Sequence, residues 1–131
     1  MKAIEIGSVI KSLLLSKQEV TDKIKKEIHP IVAPPGTGYP FVTYCRTSVS
    51  PTYTKDKRSL EDTATVDVTI HAASYESSVE ILRLAFDALQ GYSGECNGVE
   101  VDEIRMVDSS EDFQEDSYLQ NMTFEIDITN K

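Results

Sequence analysis

The side chains of this sequence best suited to metal binding or acid–base chemistry are Cys45, Cys96, His29 and His71. The cysteines are too far apart in the sequence for a C-x-x-C redox or zinc pair, and neither histidine belongs to an H-E-x-x-H sequence. Together the four would supply a complete ligand set, but none of their spacings matches a zinc pattern. Because free cysteine packs as a small hydrophobe more often than it binds a metal, we predict reduced, half-buried thiols, no metal site and no cofactor.

A Gly-Thr-Gly sequence at positions 36–38, set among prolines, is the second feature that could bind a ligand, because glycine-rich loops cradle phosphates. A phosphate loop must lead into a helix whose N-terminus binds the anion. This one leads through Tyr39 and Pro40 into a strand-like sequence, so we reject phosphate binding. No serine lies in a G-x-S-x-G sequence, and the bunching of carboxylates in one hydrophilic segment favours solvation over a catalytic pair. The sequence therefore predicts a protein that is not an enzyme and has no catalytic residues.

Length and composition indicate one domain that spans residues 1–131. The chain is 40% hydrophobic and 27% charged, which is the balance of a soluble globular protein. No apolar run approaches the ~20 residues of a membrane helix, and Glu5 and the lack of an A-x-A-like cleavage site argue against a secretory signal. We therefore expect a cytoplasmic protein without a membrane partner.

The net charge of −9 is distributed unevenly along the chain. Residues 1–60 hold ten Lys or Arg against five Asp or Glu, whereas residues 61–131 hold three against seventeen. Such an asymmetry suits head-to-tail contact between copies, if it maps onto two faces; the alternative is a solvated acidic surface that keeps the protein soluble. The basic clusters are too small, and the total charge too negative, for general nucleic-acid binding.

Helical periodicity appears in three places. Residues 3–15 carry apolar side chains at helical spacing, and Ser16 with Glu19 forms a capping-box pattern that predicts a second short helix through about Ile24. Residues 75–90 predict the longest helix, because Ser74 is a good N-cap and Gly91 suits a C-terminal stop.

Strand periodicity fills the rest. Residues 41–49 are rich in β-branched and aromatic side chains, residues 63–73 alternate cleanly, and residues 99–106 alternate with a slip that predicts a bulge between Val101 and Ile104. The last strand spans Leu119 to Thr129. A polar, basic segment at 52–59 is predicted as the far end of the first strand and a hairpin loop. Residues 108–116, with five carboxylates and no base, are predicted as a solvated loop.

This order predicts an α+β fold. We expect a mostly antiparallel four-stranded sheet built from two long hairpins, with helices packed on one face, because the apolar stripe of the long helix matches the apolar face of the strand before it.

Several short sequences occur in a characteristic order along these elements. They are His29-Pro30, Ala33-Pro34-x-Gly36-Thr37, Pro40-Phe41-Val42-Thr43-Tyr44, Val49-Ser50-Pro51-Thr52-Tyr53, Ile70-His71-Ala72-Ala73-Ser74-Tyr75, and Tyr118 before the last strand. In this pattern nearly the whole chain resembles the small tail-completion, or tail-terminator, proteins of long-tailed bacteriophages and prophages. One departure is Pro35, where the resemblance leads us to expect a polar residue.

The resemblance implies a structural, non-catalytic role in virion assembly. Members of this family act as rings, often hexameric, that cap the finished tail tube and join it to the head. The implied partners are further copies of the chain, the tail tube protein and head–tail connector proteins, while DNA passes through without being specifically bound. The implied location is the cytoplasm of the bacterial host during assembly and then the virion tail. The alternative is a non-viral α+β protein-binding adaptor or regulatory module.

Candidate contacts with a neighbouring subunit or partner come from three regions. The connector IHPIVAPPGTGYP, residues 28–40, is stiff because proline fixes φ and removes an N–H donor; it is either a surface for a neighbour or a plain turn. The candidates are Pro34, Pro35 and Tyr39 of the connector, Lys55, Lys57 and Arg58 of the basic loop, and Glu111, Asp112, Glu115 and Asp116 of the acidic loop.

Two hypotheses give these residues a use. In the first, the basic half of one subunit meets the acidic half of the next in a heterologous contact that closes into a ring. In the second, carboxylates of residues 108–116, or the outward strand face, line the channel of that ring and repel DNA phosphates.

Overall fold

The computed structural model describes residues 1–53 and 59–130 of the chain. A 3-10 helix at Lys2–Glu5 leads into α1 (Ile6–Leu15), which is followed by α2 (Gln18–Ile24) and the short strand β1 (Ile28–Pro30). The remaining elements are β2 (Phe41–Tyr53), β3 (Ser59–Ala72), α3 (Tyr75–Leu89), β4 (Gly94–Cys96), β5 (Val99–Gln114) and β6 (Ser117–Thr129).

One sheet of six strands, in the order β1-β2-β3-β6-β5-β4, organises the molecule. The two long hairpins β2–β3 and β5–β6 are antiparallel, as predicted, and β3 pairs with β6 to join them. The predicted strand number of four is wrong, because β1 joins one edge in parallel and β4 joins the other in antiparallel. Each of these strands has three residues, which is too short for an alternating pattern to reveal.

The core lies between one face of this sheet and the helices. Alternate residues of β3 and β6 point into it, so that Val66, Val68, Phe124 and Ile126 are fully buried. Helix α1 approaches the sheet closely at Gly7, where an added Cβ would lie 3.0 Å from Cε2 of Tyr44. This helix-on-sheet packing confirms the predicted α+β class.

The helices follow the predictions except at one cap. Ser74 caps α3 as expected, since its side chain accepts a hydrogen bond of 3.2 Å from the N–H of Ser77, and Gly91 follows the helix with a φ of 79°. The capping box at Ser16 does not form: α2 begins at Gln18, and the Ser16 hydroxyl donates instead to the Leu13 carbonyl at 2.7 Å. No helix in the described part of the chain is long and apolar enough to cross a membrane.

The acidic segment 108–116 is the largest error in the predicted elements. It is a strand and not a loop: β5 continues to Gln114, and only Glu115 and Asp116 form the turn, both with positive φ. Polarity concealed the strand, whose pairing with β6 supplies the backbone hydrogen bonds that hold it. The predicted bulge appears as a register shift between Val101 and Glu103, and a second shift lies between Met106 and Asp108.

Candidate subunit-contact surfaces

The connector begins with β1, and its remaining residues, 31–40, run from β1 to β2 along the end of the sheet where Phe41 begins its strand. Both the N–H and the hydroxyl of Thr37 donate to the Pro34 carbonyl, at 3.2 and 2.7 Å, which closes a turn around Gly36. Gly36 adopts a φ of 86°, a conformation that glycine takes without a steric penalty. Residues 31–40 are therefore irregular, as predicted for the connector, and their shape is set by prolines and one hydroxyl. The prediction is wrong for the first three residues of the connector, which form β1 by pairing with β2.

Three stacked rings anchor the connector to the open face of the sheet, the face opposite the helices. The Tyr39 ring stacks on Phe41 with centroids 5.4 Å apart, and Phe41 stacks on His71 at 4.4 Å. The His71 Nε2 lies 3.0 Å from the Thr43 hydroxyl, and burial lowers the pKa of this imidazole. His71 is thus a half-buried anchor between two strands.

A cleft of about 310 Å³ separates the connector from the end of the β5–β6 hairpin. Pro34 and Tyr39 line it from the connector, and Gln114 and Glu115 line it from the hairpin. Three of the predicted contact residues, Pro34, Tyr39 and Glu115, therefore meet at one end of the sheet although they are distant in sequence.

The end of the β5–β6 hairpin is an acidic projection. Residues 107–116 are all exposed, including the predicted contacts Glu111, Asp112, Glu115 and Asp116. Side chains also satisfy backbone groups there: the Asp108 carboxylate accepts from the N–H of Ser109 at 2.9 Å, and Asp112 accepts from Phe113 at 2.8 Å. Edge strands protected in this way are poor templates for strand addition.

The opposite edge of the sheet is protected by proline and by local turns. Pro30 in β1 has no N–H and its carbonyl accepts from Val32 at 2.7 Å, while the N–H of Ile28 donates to Lys26 at 2.9 Å. Backbone pairing with a further strand is therefore disfavoured at both edges.

The acidic projection is held against α3 by polar and aromatic contacts. The sequence analysis did not predict these contacts. The Tyr75 hydroxyl donates to Glu111 at 3.0 Å, and the Gln120 amide donates to the same carboxylate at 2.9 Å. That hydrogen bond from Tyr75 to Glu111 raises the pKa of Tyr75. The Tyr118 ring packs edge-on against Phe113 at 4.9 Å. The spacing of Glu111 and Gln120 gives no sign of this contact, because strand register alone brings them opposite each other.

The open face is a polar layer of cross-strand hydrogen bonds. Thr63 donates to Asp127 at 2.9 Å, Thr69 to Asn121 at 2.8 Å, and Thr123 to Asp67 at 2.7 Å. No helix in the described part of the chain covers this face. The predicted alternation is thereby confirmed, and the outward side chains are paired within the chain as well as exposed to water.

Arg105 is the basic centre of this face. Its Nη1 donates to Asp127 at 2.7 Å, and its guanidinium also lies near Glu103 and Glu125. The hydrogen bond from Arg105 lowers the pKa of Asp127, so this carboxylate is ionised at neutral pH. Acids outnumber this one base in the cluster, which gives the surface a negative potential.

The other predicted contact residues do not lie at the cleft or on the acidic projection in the part of the chain that the structure describes. Pro35 is exposed but does not line the cleft, and Lys55, Lys57 and Arg58 lie outside the described residues. Cys45 and Cys96 are free and partly buried. Within residues 1–53 and 59–130, no group of three or more His, Cys, Asp or Glu side chains is placed to hold a metal.

Comparison with known proteins finds one family and one fold. The family model described as tail completion protein gp17 matches residues 9–130. Among 27 matching chains of solved structures is one from the virion of a native gene transfer agent (GTA) particle, with a TM-score of 0.79, 12% identity and 92% of each chain covered. At that identity the likeness concerns the fold. No curated protein matches the sequence.

Proposed function

This chain belongs to the tail completion protein gp17 family, and from that premise we propose that it forms a closed ring of identical subunits that caps the tail tube and joins it to the head. The observation that carries the proposal is the family match, which spans residues 9–130 and so includes the whole sheet and all three α-helices except the start of α1. The role is structural, and no catalytic step belongs to it.

The distribution of charge supports a heterologous contact between subunits. The β1 edge carries exposed Lys25 and Lys26, which are separated from the strand by Glu27, whereas the β5 edge carries exposed Asp108, Glu111 and Asp112. Opposite signs at opposite edges of one sheet attract when copies meet edge to edge in the same orientation, and such a contact forms a ring when the rotation between copies closes. We therefore propose that the basic half of one subunit meets the acidic half of the next by placing the β1 edge against the β5 edge.

The open face supports a role for the ring as a DNA channel. Glu103, Glu125 and Asp127 lie around Arg105, and Asp67 is bonded to Thr123 on the same face. These carboxylates leave the face acidic. We propose that this face lines the channel, where like charge keeps DNA phosphates from adhering. The partners are then the tail tube protein on one side of the ring and head–tail connector proteins on the other, met first in the host cytoplasm and kept in the virion tail.

Electron microscopy of the purified protein, with and without purified tail tubes, tests the ring. We expect rings at one end of each tube, and tubes incubated without the protein provide the control. Tubes whose ends stay bare at saturating protein concentration, with monomers alone in the background, would contradict the proposal.

A reconstruction of the capped tube tests the channel separately. We expect the Arg105 cluster and its carboxylates on the inner wall. A ring with these acids on the outer rim would refute the channel while leaving the capping role intact.

A further inference from the structure

Two neighbouring apolar residues directly after β1 are largely exposed, at the border of the cleft between the connector and the β5–β6 hairpin. Ile31 and Val32 are 72% and 73% exposed, the most exposed large hydrophobic side chains in the part of the chain that the structure describes. Ile31 also has a φ of 66°, which is unfavourable for a β-branched residue. Hydrogen bonds from Ile31 to the Tyr44 carbonyl and from Val32 to the Pro30 carbonyl, both 2.7 Å, hold this conformation. We name this pair the apolar knob.

An apolar groove of about 260 Å³ lies on the other side of the molecule, between α3 and β5. Its walls are formed by Val79, Leu82 and Phe86 of the helix and by Met106 of the strand, above the buried Met122. Val79 and Met106 remain 39% and 37% exposed. Two or three aliphatic side chains are the natural occupants of a groove of this chemistry and size.

The knob and the groove lie at the same height along the strands. The N–H of Ile31 donates to the carbonyl of Tyr44 on β2. Across the sheet, Tyr44 is the register partner of Val68, Val68 of Met122, and Met122 of Ser109 on β5. Ser109 lies at the rim of the groove. Copies that meet at equal height can be related by rotation without a shift along the strands. Such a contact forms a ring when the rotation closes after a whole number of copies, whereas unequal heights would give a helix.

The charged groups on the two edges also lie at matching heights, further along the strands than the knob and the groove. Lys25 and Lys26 come shortly before Ile28, which pairs with Val42. Across the sheet, Val42 is the register partner of Ile70, Ile70 of Gln120, and Gln120 of Glu111. The lysines therefore lie beyond the knob on one edge as the carboxylates of Glu111 and Asp112 lie beyond the groove on the other. Opposite charges in the same order favour one orientation of the two copies.

We propose that the apolar knob of each copy inserts into the groove between α3 and β5 of the next copy, with Lys25 and Lys26 facing Glu111 and Asp112. This contact rests on the proposed ring and specifies which surfaces build it. It accounts for the protruding strained residue, the unfilled groove and the charge at each edge with one heterologous interface.

Disulfide cross-linking tests the contact in the intact protein. The native thiols are first removed by Cys45→Ser and Cys96→Ser, and Val32→Cys is then combined with Val79→Cys. Under mild oxidation, and under the conditions that give rings by microscopy, we expect a ladder of covalent oligomers on a non-reducing gel, with most chains cross-linked. The matched control combines Val79→Cys with Ile4→Cys, an equally accessible position that is 60% exposed but not in the knob, and we expect less than a tenth of that yield.

The possible failures are distinguishable. Rings with no cross-link between positions 32 and 79, or with equal cross-linking in the control, would overturn this contact and leave the ring itself standing. If neither the protein alone nor the protein with tail tubes shows rings, the proposed function fails, and this contact fails with it.

Discussion

The two faces of the central sheet are made from the same strands yet are held together by different interactions. Neighbouring residues Thr123 and Phe124 show the contrast: Phe124 is fully buried against the helices, while Thr123 points the other way and donates to Asp67 at 2.7 Å. The helix face excludes water and supplies the driving force for folding. The open face is held by hydrogen bonds between its own side chains across the strands.

The largest expected effect comes from removing side-chain volume on the helix face. Phe124→Ala should lower the free energy of unfolding by about 3–5 kcal/mol, because it removes a buried ring and leaves a cavity. Urea unfolding at a protein concentration low enough to keep the chain monomeric measures this loss.

The adjacent substitution Thr123→Ala is its matched control on the open face. It should lower the free energy of unfolding by about 1 kcal/mol, since it removes one partner from a carboxylate that water still reaches. Equal losses for the two variants would show that the open face is also part of the core, and would break the comparison.

A smaller effect, with a characteristic pH dependence, is expected at the Arg105 cluster. Asp127→Asn should lower the free energy of unfolding by about 1 kcal/mol at pH 7, because the ion pair is only partly buried. The pKa of Asp127 is lowered in the folded protein, first by the hydrogen bond from Arg105 and also by the bond from Thr63. Its contribution is therefore present above about pH 4 and is lost as the pH falls through the folded pKa.

Urea unfolding between pH 7 and pH 3 checks this sign. The difference between the wild-type protein and Asp127→Asn should shrink as the solution is acidified. A difference that stays constant or grows would show that the carboxylate contributes nothing through its charge.

The smallest effect on stability is expected at the apolar knob. A substitution there should nevertheless have a large effect on ring assembly. Ile31→Asn should change the free energy of unfolding by no more than about 0.5 kcal/mol, because the side chain is exposed and asparagine tolerates positive φ. Ring formation, followed by light scattering, should require at least ten times more protein.

The control for this variant is Ile4→Asn, which places the same change at another exposed isoleucine. It should assemble like the wild-type protein. If both variants assemble normally, the knob does not belong to the subunit contact.

Much of the architecture follows from periodicity alone. The alternation of β3 and β6, the apolar stripe of α3 with its Ser74 cap, and the bulge after Val101 are all visible in the sequence, because each depends on neighbours within a few positions. The irregular course of the proline-rich connector was predictable for the same reason, since proline restricts its own backbone and that of the residue before it.

The sequence by itself also determined the separation of charge and the polarity of the acidic segment, since composition needs no fold to be read. Tertiary structure alone decided that this segment is a strand, that β1 and β4 extend the sheet, and that Glu111 meets Tyr75 and Gln120. It alone placed the knob and the groove at equal heights on opposite edges. Such features depend on strand register and on contacts between distant residues, which no local pattern encodes.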